Sequence, residues 1–524
     1  MATKAPKLCR YIIMPRENFE HADLANASYR PSGTRIAVAA RMRATTTASP
    51  QMQVLDSIRD DAPKLVQMTQ EGELSLRLSM ENLQIVPEVF YHRQWQRFRV
   101  HKRPVRPKKL VKAVKGKAKA KVAAAKPAAA AAAVTVTVTD RGNGNPIRGA
   151  QIVAFTDFAN RIGAQGTTGA NGTARLSGIS PNQKLERVYL YAPAGYWGHY
   201  AADTTGAQQS SITLPTVDVR DATLLLTQLY GALPMSAGNA VTVGIIDSGV
   251  DGKHPDLPNV SGGLNCVSDE VRANPAAAAN WGPAATEGEH GTHVAGIVAG
   301  RGTTSGFRGV APGATLRSYR VFPDAGGGAS NFDIAKAIDT ATLDKCDIIN
   351  MSLGGGPKDD LTEAAIDRAL AAGVIVIVAA GNDNRSPVSF PAAFTESVAV
   401  SAMGRVGSFP KDSIGASDIA DPKGGPGGKD FIADFSNFGA EIDATGAGVD
   451  IVSTLPGDGH GPMGGTSMAS PAVAGFAAYL LSANAAVRAM QGPARSRALK
   501  DLLYASCKPE GFGRDYEGFG LPLP

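Results

Sequence analysis

The second half of the chain predicts an α/β fold, a three-layer α/β/α sandwich on a mainly parallel sheet. Three observations support this prediction. Apolar runs of strand length alternate with helical segments over most of this region. The run Val241–Ile246 is almost continuously apolar, which is typical of a parallel strand buried on both faces. Polar residues follow it directly, at the sheet edge where α/β proteins place functional groups.

The predicted elements follow one another along the chain. Strands are expected at 241–246, 316–321, 347–351 and 374–379. Helices are expected at 289–299, 333–343, 361–371 and 469–481, and Pro471 is predicted in the first turn of the last helix, where a missing N–H is tolerated. The Gly- and Pro-rich segment 404–429 predicts a surface loop.

Residues 1–98 predict a separate small α+β domain. Strands are expected at 10–14 and 35–39, and a helix at 51–58 followed by a strand at 62–68. Two further alternating or apolar runs, 74–78 and 83–91, add strand-like segments.

Residues 99–133 predict a basic Lys/Ala/Pro-rich linker. Positions 101–126 hold eleven Lys or Arg and no Asp or Glu, whereas the whole chain has a net charge of +6. Such a segment buries little apolar surface, so a solvated linker is expected. A basic run can also bind a polyanion, either nucleic acid or anionic lipid, by charge alone, and this alternative stays open.

Residues 134–215 predict a small β-sandwich. Short alternating runs such as Val134–Thr139 and Arg187–Tyr191 are separated by turns rich in Gly, Asn and Pro. This module shows no catalytic constellation. The remainder, 216–524, is the predicted catalytic domain.

Composition limits the class of protein further. A chain of 524 residues is expected to form two to four domains. It has no stretch of about 20 apolar residues, so no membrane span is expected. The N-terminus lacks the apolar core of a secretory signal, which leaves a cytoplasmic location or export by a route that cannot be read here. Four scattered cysteines do not suggest a disulfide framework.

Three short stretches carry the chemistry. They are Val243–Val250, His290–Gly296 and Gly464–Pro471, and they supply the acid Asp247, the base His290 and the nucleophile Ser467. A serine hydroxyl is a weak nucleophile at neutral pH, so it needs a base that is itself oriented by a carboxylate. The order acid, base, nucleophile distinguishes between the unrelated folds that use this set.

These motifs, in this order, resemble those of the subtilisin-like serine proteases, the subtilases, over roughly residues 225–507. The resemblance implies a serine endopeptidase that cleaves protein or peptide substrates through an acyl-enzyme intermediate. An enzyme of this kind requires no redox or organic cofactor.

The resemblance also assigns roles around the triad. Asn382 corresponds to the family's oxyanion donor, with the Ser467 backbone N–H as the second donor. Two strand ends correspond to the segments that pair with the substrate backbone and line the first specificity pocket. Their residues are Ser352, Leu353, Gly354, Ala379, Ala380 and Gly381.

Two outlying regions carry weaker resemblances. The segment Val86–Glu88 is similar to the end of the subtilase propeptide domain, which implies intramolecular inhibition by residues 1–98. An unrelated binding domain is the alternative. The 134–215 module is similar to carboxypeptidase-regulatory-like or transthyretin-like modules, which serve as spacers or docking surfaces.

Calcium is left open. Many subtilases bind it at a loop corresponding to Arg301–Arg308, but here Thr303 replaces the usual Asn. Asp256 remains a candidate ligand, although one carboxylate is thin evidence for a hard cation.

Other interpretations compete with proteolysis. An α/β-hydrolase esterase would need a Gly-x-Ser-x-Gly elbow, and Ala469 stands where its last glycine should be. A scaffold on an inactive protease fold is disfavoured by the intact set of Asp247, His290, Ser467 and Asn382. His293 is expected to be a packed residue, because no His-Glu-x-x-His metal motif occurs.

Overall fold

The computed structural model describes residues 7–15, 52–59, 62–79, 83–101, 132–302 and 305–524. The chain divides into two compact units. The first unit comprises Met1–Gln96, Val219–Phe409 and Asp418–Pro524, and the second comprises Arg97–Asp218 and Pro410–Ser417. The strand predicted at 35–39 and nearly all of the basic 101–126 segment lie outside the described residues.

The described residues of the N-terminal part of the first unit form an antiparallel sheet with one helix. In chain order its elements are β1 (Leu8–Pro15), β2 (Met52–Ser57), β3 (Lys64–Thr69), α1 (Gln70–Ser79) and β4 (Leu83–Pro87). The strands lie in the order β2-β3-β1-β4, and every pair is antiparallel. A further strand, β5 (Phe90–Arg93), follows β4 and pairs with other partners.

Two local predictions in this part are wrong. Residues 51–58 were expected to be helical, but β2 pairs along its length with β3, and that pairing overrides a short ambiguous pattern. The alternating leucines at 74–78 suggested a strand, but they lie in α1. There the helix buries only Leu76, whereas Leu74 and Leu78 are exposed.

The second unit contains two small sheets. Its strands are β6 (Ala133–Asp140), β7 (Gln151–Asp157), β8 (Ile162–Thr167), β9 (Thr173–Ser177), β10 (Lys184–Tyr191), β11 (His199–Thr205) and β12 (Ser211–Leu214). One sheet has the order β11-β10-β7-β8 and the other β12-β6-β9. Buried side chains from both sheets, including Val136, Ile152 and Leu190, form one apolar cluster. The strands of this unit thus form two sheets around one core.

Part of the predicted 404–429 loop belongs to the second unit. Asp412 accepts a hydrogen bond from the Tyr200 backbone N–H (2.8 Å) and forms an ion pair with Arg141 (2.9 Å). Ile414 packs beside the aromatic cluster around Tyr189. The loop prediction did not foresee this attachment, because it depends on residues more than two hundred positions away.

The catalytic part of the first unit is built on a nine-stranded sheet. Its strands are β13 (Thr242–Asp247), β14 (Val260–Asn265), β15 (Thr315–Arg320), β17 (Ile348–Met351), β19 (Ile375–Ala379), β20 (Val398–Arg405), β21 (Lys423–Gly424), β22 (Asp430–Ile432) and β23 (Ala444–Ala447). Their order is β14-β15-β13-β17-β19-β20-β22-β21, with β23 beside β20. All neighbours are parallel except the two pairs that include β22.

Short strands complete this part. They are β16 (Ala329–Ser330), β18 (Leu353–Gly354), β24 (Ile451–Leu455), β25 (Gly459–Met463), β26 (Cys507–Lys508) and β27 (Leu521–Pro522).

Helices cover the sheet and make the outer layers. They are α2 (Leu225–Tyr230), α3 (Ser268–Ala273), α4 (Glu289–Ala299), α5 (Asn331–Leu343), α6 (Asp360–Ala371), α7 (Thr466–Ala483), α8 (Ala485–Ala489), α9 (Gly492–Ala505) and α10 (Arg514–Glu517). Helix α4 packs against α7, and α5 packs against α6. The predicted three-layer α/β/α fold is confirmed. Among the described residues, no helix is long and apolar enough to cross a membrane.

Strand β5 from the N-terminal part lies in the catalytic part. It forms the middle strand of a three-stranded sheet, antiparallel to β16 on one side and to β18 on the other. The chain's own segment therefore occupies the edge of the catalytic domain that was expected to pair with substrate.

Candidate active site

Asp247 and His290 lie in direct contact at the carboxyl end of the central sheet. Asp247 is the last residue of β13, and His290 is in the first turn of α4. The imidazole Nδ1 donates to the Asp247 Oδ1 over 2.7 Å, and both side chains are fully buried. The Ser248 backbone N–H also donates to this oxygen, over 2.6 Å. This arrangement places the proton on Nδ1 and leaves Nε2 as the basic nitrogen.

A glycine allows α4 to approach the loop after β13. A Cβ on Gly291 would lie 2.3 Å from the Gly249 carbonyl oxygen, so any side chain there would push the helix away. The small residues that the sequence places in this helix therefore position His290 against Asp247.

Ser467 is the second residue of α7. Its Oγ donates to the Ser352 carbonyl (3.0 Å), and among the described residues His290 Nε2 has no hydrogen-bond partner. Pro471 lies in the second turn of the helix and not in its first, as had been predicted. Because Pro471 has no N–H, it cannot bond to the Ser467 carbonyl, and Ser352 Oγ donates to that carbonyl instead (2.8 Å).

Asn382 follows β19 and has a fixed orientation. Its Oδ1 accepts from both the backbone N–H and the Oγ1 of Thr466, each over 2.9 Å. Its Nδ2 is buried and has no partner in the described part of the chain. A buried amide N–H₂ without an acceptor is costly unless a ligand oxygen arrives, so this group is suited to an oxyanion.

The carbonyl of Gln94 lies at the same place. It accepts a hydrogen bond from the Ser467 backbone N–H over 2.9 Å. A Cβ on Gly465 would lie 2.4 Å from this carbonyl oxygen and 3.1 Å from Asn382 Nδ2, so both atoms border the glycine. The peptide bond between Gln94 and Trp95 therefore lies at Ser467, the predicted nucleophile.

Main-chain hydrogen bonds hold the segment on both sides of that bond. The Gln94 N–H donates to the Ser352 carbonyl (3.3 Å), and the Gln96 N–H donates to the Gly464 carbonyl (2.7 Å). Leu353 and Gly354 pair with Arg93 and His92. The Trp95 ring packs edge-on against His290, with centroids 5.3 Å apart.

The structure brings the predicted substrate segments to this bond. Leu353 and Gly354 form β18 beside β5, and Ala379–Gly381 precede Asn382, whose N–H donates to Gln94 Oε1 (3.1 Å). The Gly381 N–H donates to Thr466 Oγ1 (3.2 Å), which links this segment to the start of α7.

Sequence reasoning did not identify the opposite edge of the cleft. Ala329 and Ser330 pair with Tyr91 and Phe90, but two small residues in a Gly-rich stretch gave no signal of their own. Tyr91 is fully buried, and its hydroxyl donates to the Asp359 carboxylate. Burial, with Asp359 beside it, raises the pKa of Tyr91 far above its usual range, so the hydroxyl remains a donor at neutral pH.

A profile of the Subtilase family matches residues 238–520, more than half of the chain. The chain belongs to the subtilase family. It is 36% identical over 249 residues to Subtilisin NAT of Bacillus subtilis subsp. natto, which is 47% of this chain and 56% of that protein. It is 37% identical over 249 residues to Subtilisin of Bacillus pumilus, covering 78% of that protein. The Thermostable alkaline protease of Halalkalibacterium halodurans is 35% identical over 245 residues, 58% of its length.

The matched region of this subtilase thus spans little more than half of the length of several curated relatives, Subtilisin NAT among them. It contains all three members of the predicted triad and Asn382.

His293 lies one helical turn from His290 in this subtilase and is buried. Its Nε2 lies 2.9 Å from the Ile451 carbonyl and 3.1 Å from the Gly461 carbonyl. Burial lowers the pKa of His293 to about 3, so the imidazole is neutral and donates from Nε2. It anchors α4 to the strands β24 and β25.

The surroundings of Asp256 do not fit calcium. Its buried carboxylate accepts from His460 Nε2 (2.9 Å) and from Ser305 Oγ. A calcium ion takes six to eight oxygen ligands, whereas here an imidazole donates to the Asp256 carboxylate. Among the described residues, no group of three or more His, Cys, Asp or Glu side chains is arranged to hold a metal ion.

Proposed function

We propose that this subtilase is a serine endopeptidase that uses Asp247, His290 and Ser467. The observation that carries the proposal is the Gln94 carbonyl, held by the Ser467 N–H beside the buried Asp247–His290 pair. A peptide carbonyl in this position is presented for nucleophilic attack, and Asn382 Nδ2 and the Ser467 N–H are placed to stabilise the resulting oxyanion.

The chemical steps follow from these positions. Ser467 Oγ turns from the Ser352 carbonyl towards His290 Nε2, gives up its proton there and attacks the carbonyl carbon. Asp247 holds the imidazole in the required tautomer and stabilises its charged form. His290 then protonates the leaving amine, and a water molecule releases the acyl group by the reverse sequence. Each oxyanion donor typically contributes about 2.7–4 kcal/mol to the transition state.

We also propose that the N-terminal region inhibits the enzyme and that Gln94–Trp95 is its own first substrate bond. Strand β5 fills the cleft from Phe90 to Arg93, so another substrate cannot pair with β16 and β18 until this segment leaves. Strand pairing gives affinity without demanding a particular side chain at every position.

Mass spectrometry of the purified wild type beside Ser467→Ala tests both proposals. The wild type should yield a fragment that begins at Trp95, and the variant should stay intact. A wild type that stays intact and that a fluorophosphonate probe does not label at Ser467 would contradict the endopeptidase and leave the scaffold interpretation. A labelled but intact wild type would contradict only the self-cleavage.

No organic cofactor is needed for this chemistry. We propose that the Ser305–Asp256–His460 contacts stabilise the region where other subtilases bind calcium. The melting temperature of the Ser467→Ala protein should then be the same in EDTA and in excess calcium, and His460→Ala should lower it in both. A rise with calcium that requires Asp256 would show that the ion binds there. The role of the β-sandwich as a spacer or docking surface remains a prediction.

A further inference from the structure

Arg93 occupies the second position before the bond at Ser467, the P2 position of a substrate. Its side chain is only 4% exposed, although it belongs to a segment that the proposed reaction would release. A charged side chain is rarely buried to this extent unless an opposite charge or hydrogen-bonding groups surround it. The neighbouring P3 residue, His92, is by contrast exposed.

The catalytic part supplies three partners for this guanidinium. Arg93 Nη1 lies 3.2 Å from the Glu287 carboxylate, and Nη2 donates to the Thr286 carbonyl over 3.4 Å. The Phe322 ring lies beneath the guanidinium carbon, with its centroid at 4.0 Å. A carboxylate, a carbonyl and an aromatic face together match arginine better than lysine, because only the guanidinium is planar and forked.

The segment that carries these groups is held in place by the catalytic part. The Ala285 N–H and Thr286 Oγ1 both donate to Asp324, each over 2.8 Å. Glu287 has a φ of 54°, in the left-handed region that a non-glycine residue adopts at a cost. Glu287 lies two residues before α4 and three residues before His290.

We infer that Glu287, Thr286 and Phe322 form a subsite that selects arginine at P2 of substrates. This inference rests on the proposed endopeptidase function and specifies its substrate class: peptides with arginine two residues before the cleaved bond. In this scheme the N-terminal region binds through the subsite that any substrate in trans would use.

Two synthetic peptides test the inference. One has the sequence of Val89–Gln96, Val-Phe-Tyr-His-Arg-Gln-Trp-Gln, between a fluorophore and a quencher. The other replaces arginine with citrulline, which keeps the shape but has no charge. Self-processed wild type should cleave the arginine peptide between Gln and Trp. Its kcat/KM for this peptide should be about tenfold higher, or more, than for the citrulline peptide, because citrulline lacks the positive charge that strengthens the hydrogen bond to Glu287.

The enzyme variants show which residue is responsible. Glu287→Gln should bring the ratio between the two peptides close to one, mainly by slowing cleavage of the arginine peptide. Glu441→Gln, the same change at an exposed turn, should leave the ratio as in wild type. Equal cleavage of both peptides by wild type would overturn the arginine subsite and leave the endopeptidase standing. Cleavage of neither peptide by a protein that also fails the fluorophosphonate test would overturn the proposed function.

The contact can also be measured without catalysis. In full-length Ser467→Ala, amide hydrogen exchange reports how often Phe90–Gln96 leaves the cleft. In this background, Arg93→Gln should raise exchange of the segment about tenfold. When Glu287→Gln is also present, Arg93→Gln should raise it by much less, because Arg93 has already lost its carboxylate partner. An equal rise in both backgrounds would overturn the inference, whatever the activity.

Discussion

The two faces of the N-terminal sheet are both apolar, but different parts of the molecule cover them. On one face Ile13, Val66 and Ile85 pack with α1 residue Leu76 and form a core of their own. On the other face Ile12 and Leu65 belong to the large core of the catalytic part. Neighbouring residues in β1 thus lie in separate cores, because successive side chains of a strand point to opposite faces.

The difference suits a region that is held firmly and later released, as the proposed inhibition requires. The first face gives the N-terminal sheet a core of its own. The second face packs in the core that includes residues of α5 and α6. Asp56 pairs with Lys336 (2.8 Å) at the same surface. Among the described residues of this region, α1 covers one apolar face of the sheet and the catalytic part covers the other. Because separation would expose the second face, we expect the N-terminal region to be marginally stable once separated.

The largest expected effect separates the chemistry from the docking of this region. Asp247→Asn should slow self-cleavage by about 10⁴-fold, because the amide cannot hold His290 in the required tautomer. The rate is measured by mass spectrometry of timed samples. Hydrogen exchange in Phe90–Gln96 should stay as slow as in Ser467→Ala. Faster exchange would mean that Asp247 also holds the segment.

The next prediction compares the two faces directly. Ile12→Ala and Ile13→Ala each remove a buried side chain and should each cost about 2–5 kcal/mol. In the Ser467→Ala protein, Ile12→Ala should loosen the docked sheet and raise hydrogen exchange in both β1 and β5. Ile13→Ala should mainly raise exchange within β1, β3 and α1. Identical exchange patterns would show that the two cores do not act separately.

A smaller effect is expected where the segment enters the cleft. Tyr91→Phe removes the hydroxyl that donates to Asp359 and should cost about 1–3 kcal/mol. Hydrogen exchange of Phe90–Gln96 in the Ser467→Ala protein measures this loss. Tyr479→Phe, at a partly exposed position on α7, is the control and should leave that exchange unchanged.

The smallest effect concerns pH. Burial raises the pKa of Asp333, on α5, to about 7, although Ser268 donates to its carboxylate and Lys336 lies near. The folded protein therefore retains a proton that the unfolded chain releases near pH 4. Stability should fall as pH rises through this range, by about 1.4 kcal/mol per pH unit at most. Asp333→Asn should remove that slope between pH 5 and 6 in chemical denaturation of Ser467→Ala. An unchanged slope would contradict the raised pKa.

The catalytic fold was readable because its signals are local and strong. Apolar strands such as Ile375–Ala379 are buried on both sides, so their composition alone distinguishes them from the rest of the chain. The N-terminal elements were harder to predict. The leucines of α1 alternate as in a strand, yet only Leu76 is buried, and β2 is a strand because β3 pairs with it.

The site divides in the same way. Four predicted site residues lie in recognisable motifs and could be predicted without a structure: Asp247, His290, Ser467 and Asn382. Glu287, Phe322 and Ala329 lie in segments without a motif, and their relation to Arg93 and Tyr91 spans some two hundred residues. Such partners become visible only when the chain has folded.

The amino-acid sequence by itself determined the fold class and the family and nominated the acid, base and nucleophile, because these depend on hydrophobic pattern and short motifs. Only the tertiary structure decided that Gln94–Trp95 lies at Ser467, that Arg93 is buried against Glu287, and that Asp256 is held by His460. The physical reason is that each of these contacts joins residues that are distant in the chain, and core packing together with strand pairing brings them together.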